Sequence, residues 1–205
     1  MKNTTKYFAL FVIAFSISIL ACKKSKEHSK TKDSSTIEKV IPENLKWSER
    51  MMLSEIERVP KASMLDFVKK PRWSYTNGLV LSAAIKVYEE TNNHTYYDYI
   101  YAYADEMIDS TGTIKTYKLS NQNLDMIKSG DVLLYLYPKT KEERFLKAIE
   151  TLNSQLESQP KTSEGGYWHK KVYPNQMWLD GLYMAEPFHT HYAKDYVKDP
   201  TKAEN

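Results

Sequence analysis

The sequence predicts an all-α protein made of stacked helical hairpins, arranged as a solenoid or a toroid. About six segments place their apolar residues at helical spacing, and no stretch shows sustained alternation of apolar and polar residues. The loops between these segments are alternately short and long, which is the rhythm of successive helix–turn–helix units. The chain also has 16 tyrosines but only 6 glycines, which argues against a turn-rich β protein.

The first three predicted helices follow from apolar spacing and from residues that begin or end a helix. The first starts near Trp47 and is closed by Pro60. The second covers residues 76–90 and is apolar on more than one face, which favours an inner position. The third is expected to open with a capping box formed by Thr95 and Asp98.

Three more helices are predicted in the second half of the chain. One covers residues 124–137, and the next, from residue 141 to residue 158, has the clearest amphipathic stripe. The last runs from about Trp178 to about Val197 and is expected to bend or restart at Pro187. The whole set indicates about three helical hairpins.

Three loops contain most of the aromatic and polar residues, and we expect them to lie on one face of the helical array. They span residues 70–77, 113–124 and 159–176. Residues 165–181 alone hold four large aromatic side chains, one histidine, two lysines and one aspartate. Aromatic rings stack on the apolar faces of sugars while a few polar groups fix orientation, so this loop face is typical of a sugar site.

The N-terminus has the features of a bacterial export signal. An apolar segment of 14 residues, 7–20, follows two lysines and is too short for a comfortable membrane span. The residues ending at Cys22 resemble a lipobox, so residues 1–21 are expected to be a signal peptide and Cys22 to carry lipid. The alternative is an ordinary signal peptide with an incidental cysteine. Residues 22–41 are polar and lysine-rich and are predicted to form a flexible tether, which leaves 42–205 as the folded part.

The expected lipid anchor also predicts where the protein is located. We expect a lipid-anchored protein of the outer membrane of a Gram-negative bacterium, facing the periplasm. The lysine after Cys22, without an acidic run, favours that side over the cell surface. The net charge of +3 belongs to the first 41 residues, since residues 42–205 hold 21 basic and 23 acidic groups. The folded part therefore gives no reason to expect a nucleic-acid partner.

Cysteine and histidine positions argue against a metal site or a disulfide framework. A single cysteine can form neither a disulfide network nor a thiolate zinc site. His189 and His191 are two residues apart, so on a helix they point to different faces. The sequence also has no glycine-rich phosphate loop and no serine nucleophile elbow. No metal and no cofactor are predicted.

Two aspartates are the candidate catalytic groups. Asp125 and Asp180 each stand near the start of a predicted inner helix and beside an aromatic loop, and paired carboxylates suit acid–base work on sugars. Burial against Trp and Met side chains would leave one of them protonated at neutral pH. Each could instead be an N-terminal helix cap, and Trp178 could be a core anchor rather than a sugar platform. Candidate sugar contacts in the loops are Trp73, Gln176, Met177 and Trp178.

Several motifs in the same order resemble those of family 105 glycoside hydrolases, the unsaturated rhamnogalacturonyl hydrolases. The longest covers residues 176–188, and the resemblance extends through most of residues 47–196. The other matching segments are residues 47–51, 70–75, 123–125, 159–160 and 165–170.

The resemblance implies an (α/α)6 toroid of twelve helices and a reaction that differs from ordinary glycoside hydrolysis. Members act on the unsaturated uronic acid that polysaccharide lyases leave at a non-reducing end. They protonate C4 of the C4=C5 double bond, water adds at C5, and the hemiketal collapses to release the neighbouring sugar. The expected partner is thus an unsaturated uronyl-rhamnose oligosaccharide.

The resemblance also implies roles for individual residues. Asp180 matches the general acid, which is also expected to activate the water, and Asp125 matches a second aspartate that shapes the site. Tyr75 and His169 match positions that face the substrate. By their charge or donor groups, His169, Lys170 and Arg72 are candidates to bind the substrate carboxylate. His169 could equally be a satisfied structural residue.

Chain length leaves two functions open. A ring of twelve helices needs on the order of 250–300 residues, whereas 164 remain after residue 41, so we expect only about the first half of the toroid. The first hypothesis is an unsaturated uronyl hydrolase acting on products of rhamnogalacturonan or ulvan lyases. The second is an inactive truncated fragment or a non-catalytic sugar-binding helical lipoprotein.

Overall fold

The computed structural model describes residues 41–197, and every regular element in that range is helical. The predictions for the signal peptide and for Cys22 concern residues outside this range. The described residues form six α-helices: α1 (Trp47–Arg58), α2 (Tyr75–Thr91), α3 (His94–Met107), α4 (Gly130–Thr140), α5 (Glu143–Ser158) and α6 (Leu179–Tyr196). Short 3₁₀ turns occur at Ala62–Met64, Leu119–Asn121 and Leu124–Met126.

The helices pack in two layers that form part of a helical toroid, as the sequence predicts. In one layer α2 contacts α4, and α4 contacts α6. In the other layer α3 packs against α2 and α4, and α5 packs against α4 and α6. Two-residue connections join α2 to α3 and α4 to α5, and each preceding helix ends on a left-handed residue, Asn92 or Lys141. The starts of α2, α4 and α6 therefore lie at the same end of the array.

Two predicted helix boundaries are wrong. The N-cap of α3 is Asn93, whose side chain accepts the backbone N–H of Thr95, so Thr95 and Asp98 do not form the predicted capping box. The helix predicted from residue 124 begins only at Gly130. Asp125 lies in a 3₁₀ turn before that helix, because the Asn123 side chain accepts the Asp125 N–H and closes a separate turn.

The predicted break at Pro187 is also wrong, because α6 continues through it as one helix. Proline removes the hydrogen bond to the carbonyl four residues earlier, here that of Tyr183. Both residues are exposed, so water can solvate that carbonyl, while Met184, Ala185 and Phe188 hold the opposite side of the helix in the core.

The inner helices approach closely near the loops. A Cβ on Gly78 of α2 would lie 2.6 Å from the backbone of Lys128 and Ser129, so only glycine allows this contact. The Ser129 hydroxyl donates to the carbonyl of Ser74, and the Tyr103 hydroxyl donates to Ser129. These contacts fix the segment that carries Asp125. None of the helices described between residues 41 and 197 has the length and hydropathy of a membrane span.

Candidate active site

The three aromatic and polar loops meet at one end of the helices, as predicted. The backbone N–H of Leu124 donates to the carbonyl of His169 at 3.0 Å, and that of Lys171 donates to the carbonyl of Gln122 at 3.1 Å. The first loop joins them because the Trp73 indole N–H donates to the carbonyl of Met126 at 2.7 Å. Backbone and indole hydrogen bonds thus hold the loops together.

Asp125 is the buried carboxylate of the site, and both of its oxygens face basic side chains. Oδ2 lies 2.8 Å from Nζ of Lys170, and Oδ1 lies 3.1 Å from Nε2 of His169. Only 9% of Asp125 is exposed. It does not cap α4, whose N-cap is Ser129, so the capping interpretation of Asp125 does not apply.

His169 is almost fully buried, and one of its ring nitrogens lies within 4.8 Å of a carboxylate oxygen of each aspartate. Its ring stacks on Trp178 with 4.3 Å between centroids, and its Nδ1 lies so close to α6 that a Cβ on Gly181 would be 3.1 Å away. Among the described residues, neither ring nitrogen has an aligned hydrogen-bond partner, although Nε2 is near Asp125. Both nitrogens are buried, so in this structure a ligand does not reach them.

Trp178 has features of both a core anchor and a sugar platform, the two alternatives that the sequence leaves open. It stacks on buried His169 and also on Tyr173, with 5.4 Å between the second pair of centroids, yet 40% of its surface is exposed. The Gln176 side-chain oxygen accepts its indole N–H at 3.1 Å, and the Gln176 backbone carbonyl accepts the N–H of His169 at 2.8 Å. Neighbouring Met177 is half exposed.

Asp180 is the free carboxylate of the site. It is the second residue of α6, is exposed, and forms no hydrogen bond or ion pair among residues 41–197. The N-cap of α6 is Trp178 and no side chain caps this end, so Asp180 is not a cap. Its exposure differs from the expected burial against Trp and Met. Asp180, Asp125 and His169 nevertheless offer ligand atoms that all lie within 4.8 Å of one another.

Two of the predicted substrate contacts, Trp73 and Arg72, have other surroundings, whereas Tyr75 is accessible. Trp73 has no exposed surface and stacks on Tyr103 in the core, so it cannot touch a sugar in this structure. Arg72 pairs with Asp66 at 3.2 Å, which engages its guanidinium outside the aspartate cluster. Tyr75 is the first residue of α2 and is 39% exposed, so its ring remains accessible.

The cluster of Asp125, His169 and Asp180 contains enough donor groups to be considered for a metal ion, which the sequence analysis did not foresee. The Lys170 ammonium, however, already neutralises one oxygen of Asp125 at 2.8 Å. A divalent cation would have to bind beside this fixed positive charge, which is electrostatically unfavourable.

Two contacts near the cluster were missed from sequence. Lys128 is buried and forms a 2.7 Å ion pair with Asp131, and its Nζ also lies 4.0 Å from the centre of the Tyr183 ring. Lys128 and Tyr183 each follow one of the two aspartates by three residues, and this spacing was the available signal. An open cavity of about 530 Å³ is lined by Leu124, Trp178 and Gly181, which are close in sequence to the two aspartates, but Asp125, His169 and Asp180 do not line it.

Comparison with known proteins identifies the family of this chain. A family model described as Glycosyl Hydrolase Family 88 matches residues 47–204. The chain belongs to that family. A solved structure of a glycoside hydrolase from family 105 of C. acetobutylicum ATCC 824 is 35% identical and has a TM-score of 0.67. The predicted resemblance to family 105 is therefore supported in a broader form, as a relationship to glycoside hydrolase families 88 and 105.

The match covers 78% of this family 88 chain and 42% of the C. acetobutylicum chain. This chain therefore spans less than half the length of the structure to which it is similar.

Proposed function

We propose that this protein is a hydrolase that removes 4,5-unsaturated galacturonic or glucuronic acid from the non-reducing end of lyase-generated oligosaccharides containing rhamnose. Membership of family 88 and similarity to a family 105 glycoside hydrolase support glycosidase chemistry. The observation that carries the proposal is the contrast between an engaged Asp125 and a free Asp180 beside His169.

This contrast suggests different catalytic roles for the two aspartates. Asp125 faces His169 and Lys170 with both oxygens, so it is suited to orient groups and to place negative charge near a developing cation. Asp180 has no competing partner among the described residues, so its carboxyl group can give a proton to the substrate and take one back. One positioned acid is sufficient to protonate an enol ether.

The reaction then proceeds with balanced protons. Asp180 transfers its proton to C4, the C4=C5 π electrons form the new C–H bond, and C5 becomes an oxocarbenium-like centre. Water attacks C5 and loses a proton to the Asp180 carboxylate, which regenerates the acid. The C5 hemiketal opens to a ketone, and the hemiacetal exposed at C1 releases the neighbouring sugar with its oxygen protonated.

The remaining groups of the cluster fit an acidic sugar. Lys170 is partly exposed, so its ammonium can approach the substrate carboxylate, whereas the buried His169 contacts Asp125 and Trp178 instead of the substrate. The exposed parts of Trp178 and Tyr173 provide aromatic surface beside them, at 40% and 37% exposure. Tyr75 is a further accessible ring for the substrate.

The test is the substitution Asp180→Asn. We expect turnover to fall to background while the circular-dichroism spectrum and the melting temperature stay unchanged, because Asp180 is exposed and makes no contact that stabilises the fold. Turnover is measured as loss of enol-ether absorbance with lyase-generated oligosaccharides. The matched control is Asp98→Asn, another exposed aspartate on a helix, which should keep full activity. An active Asp180→Asn variant would exclude Asp180 as the acid.

Non-catalytic sugar binding is the second candidate, and the exposure of Asp180 to solvent favours it. A protein of this type binds unsaturated oligosaccharides in calorimetry but leaves their absorbance unchanged. Its binding should depend on Lys170 and Trp178 and should survive Asp180→Asn.

A further inference from the structure

Lys128 and Tyr183 form a contact one turn beyond the two aspartates. The Lys128 ammonium lies 4.0 Å from the centre of the Tyr183 ring, which is within the range of a cation–π interaction. Lys128 is three residues after Asp125, and Tyr183 is three residues after Asp180. On α6 this spacing makes Asp180 and Tyr183 neighbours on the helix surface, whereas Asp125 and Lys128 lie in the turns that precede α4. The contact therefore links the two segments that carry the aspartates.

The Lys128 side of this contact is immobile. Its side chain is only 3% exposed, and its ammonium is held by Asp131 at 2.7 Å. Its backbone lies against Gly78 of α2, in the place where any Cβ would clash. Because the ammonium is held by these contacts, it determines the position of the Tyr183 ring, and the ring does not determine the position of the ammonium.

On the other side of the contact, Tyr183 affects the rotational position of α6 about its own axis. At about 100° per residue, Asp180 falls between Gly181 and Tyr183 around the helix. Gly181 rests against His169, and Tyr183 rests on Lys128. Together with Met184, Ala185 and Phe188 in the core, these two contacts on either side of Asp180 oppose rotation of α6, and the carboxyl of Asp180 stays within 4.8 Å of Asp125 and His169.

We propose that Lys128 and Tyr183 are positioning residues, which set the separation of Asp125 and Asp180 by fixing the rotation of α6 on the turn that carries Asp125. Neither needs to touch substrate. The kinetic part of this inference rests on the proposed function, whereas the geometric part does not.

The first experiment replaces Tyr183 and leaves the buried ion pair intact. Tyr183→Leu should lower kcat roughly tenfold or more with little change in KM, because misplacing a catalytic group affects the chemical step. Tyr183→Phe keeps the ring and should restore kcat. The matched control is Tyr135→Leu, since Tyr135 lies 4.0 Å from Lys139 in the same kind of contact and is not adjacent in sequence to either aspartate. Equal kcat in Tyr183→Leu and wild type overturns the proposal.

A second measurement does not depend on activity. The His169 ring stacks on Trp178 at the start of α6, so its proton resonances in NMR report the position of that helix. These resonances should shift in Tyr183→Leu and in Lys128→Met, and should stay in place in Tyr183→Phe and Tyr135→Leu.

The two measurements distinguish failure of the proposed positioning role from failure of the proposed function. If wild-type protein does not turn over unsaturated oligosaccharides, the proposed function fails and the His169 resonances alone decide the positioning role. If those resonances are unchanged in Tyr183→Leu, Tyr183 is only a cover for the lysine side chain and the proposal is wrong.

Discussion

At the residue scale, the buried pair of Lys128 and Asp131 ties the stability of this protein to pH. Burial raises the pKa of the Asp131 carboxyl above its ordinary value, and the Lys128 ammonium at 2.7 Å opposes this rise, as does His191. A carboxyl whose pKa is raised by folding favours the folded state at low pH. Its contribution is lost as the pH rises from the unfolded pKa through the folded one.

We predict that Lys128→Met destabilises the protein more at pH 7 than at pH 4. Without the lysine, the charged form of Asp131 is buried unpaired at pH 7, which costs about 3 kcal/mol, whereas at pH 4 the carboxyl can protonate. Urea denaturation at the two pH values measures the difference. Lys128→Met/Asp131→Asn should recover stability at pH 7, and Lys139→Met on the exposed part of α4 should show no such pH dependence. An equal loss of stability at both pH values would contradict the prediction.

At the element scale, the crossing of α4, α5 and α6 depends on the first residue of α4. A Cβ on Gly130 would lie 2.6 Å from the Phe188 ring of α6 and 2.7 Å from the Leu152 methyl of α5. Both neighbours are fully buried, so neither can move aside without disturbing the core. This close approach fixes the middle of α6 against α4 and α5.

Gly130→Ala should therefore lower the free energy of unfolding by about 1–3 kcal/mol, which is typical of overpacking in a core. Chemical denaturation measures the loss. Combining it with Phe188→Leu should cost less than the sum of the two single changes, because the smaller side chain makes room for the added methyl group. Strict additivity would mean that the clash with Phe188 does not decide the effect.

At the scale of the whole molecule, the described residues expose apolar side chains on the first and last helices. Trp47 and Met51 of α1 are 72% and 71% exposed, and Leu179 of α6 is 86% exposed, with Leu182 and Tyr183 near one half. Large apolar side chains exposed near one another on one helix, as Leu179, Leu182 and Tyr183 are on α6, favour association.

We predict that the purified 205-residue chain self-associates as its concentration rises, and that Leu179→Lys/Leu182→Lys reduces this association without lowering the melting temperature. The substituted residues are exposed, so their loss removes little packing. Size-exclusion chromatography with light scattering gives the mass. Val172→Lys is the control, because Val172 is 71% exposed in a loop and lies outside the α6 surface. If the double variant associates as strongly as wild type, the α6 surface is not responsible.

Local patterns predicted the helices well because a helix is defined by residues close in sequence. The apolar spacing of residues 141–158 placed α5 within two residues, and the inner position of α2 followed from its several apolar faces. The boundary at Asp125 could not be predicted, because Asn123 accepts the Asp125 N–H as an N-cap does, and this local pattern is the same for a short 3₁₀ turn as for the start of an α-helix. The predicted break at Pro187 was wrong for a related reason. The free-energy cost of a proline inside a helix depends on whether the carbonyl that loses its hydrogen bond is exposed to water or buried in the core.

The sequence by itself determined that the chain is helical, that its polar and aromatic loops gather at one end, and that Asp125 and Asp180 stand in motifs like those of a glycoside hydrolase family. Only the tertiary structure decided which aspartate is engaged and which is free, that Trp73 is buried, and that Lys128 reaches Tyr183. Helical periodicity is a property of neighbouring residues, whereas burial and ion pairing depend on side chains that are distant in sequence and meet only when the helices pack.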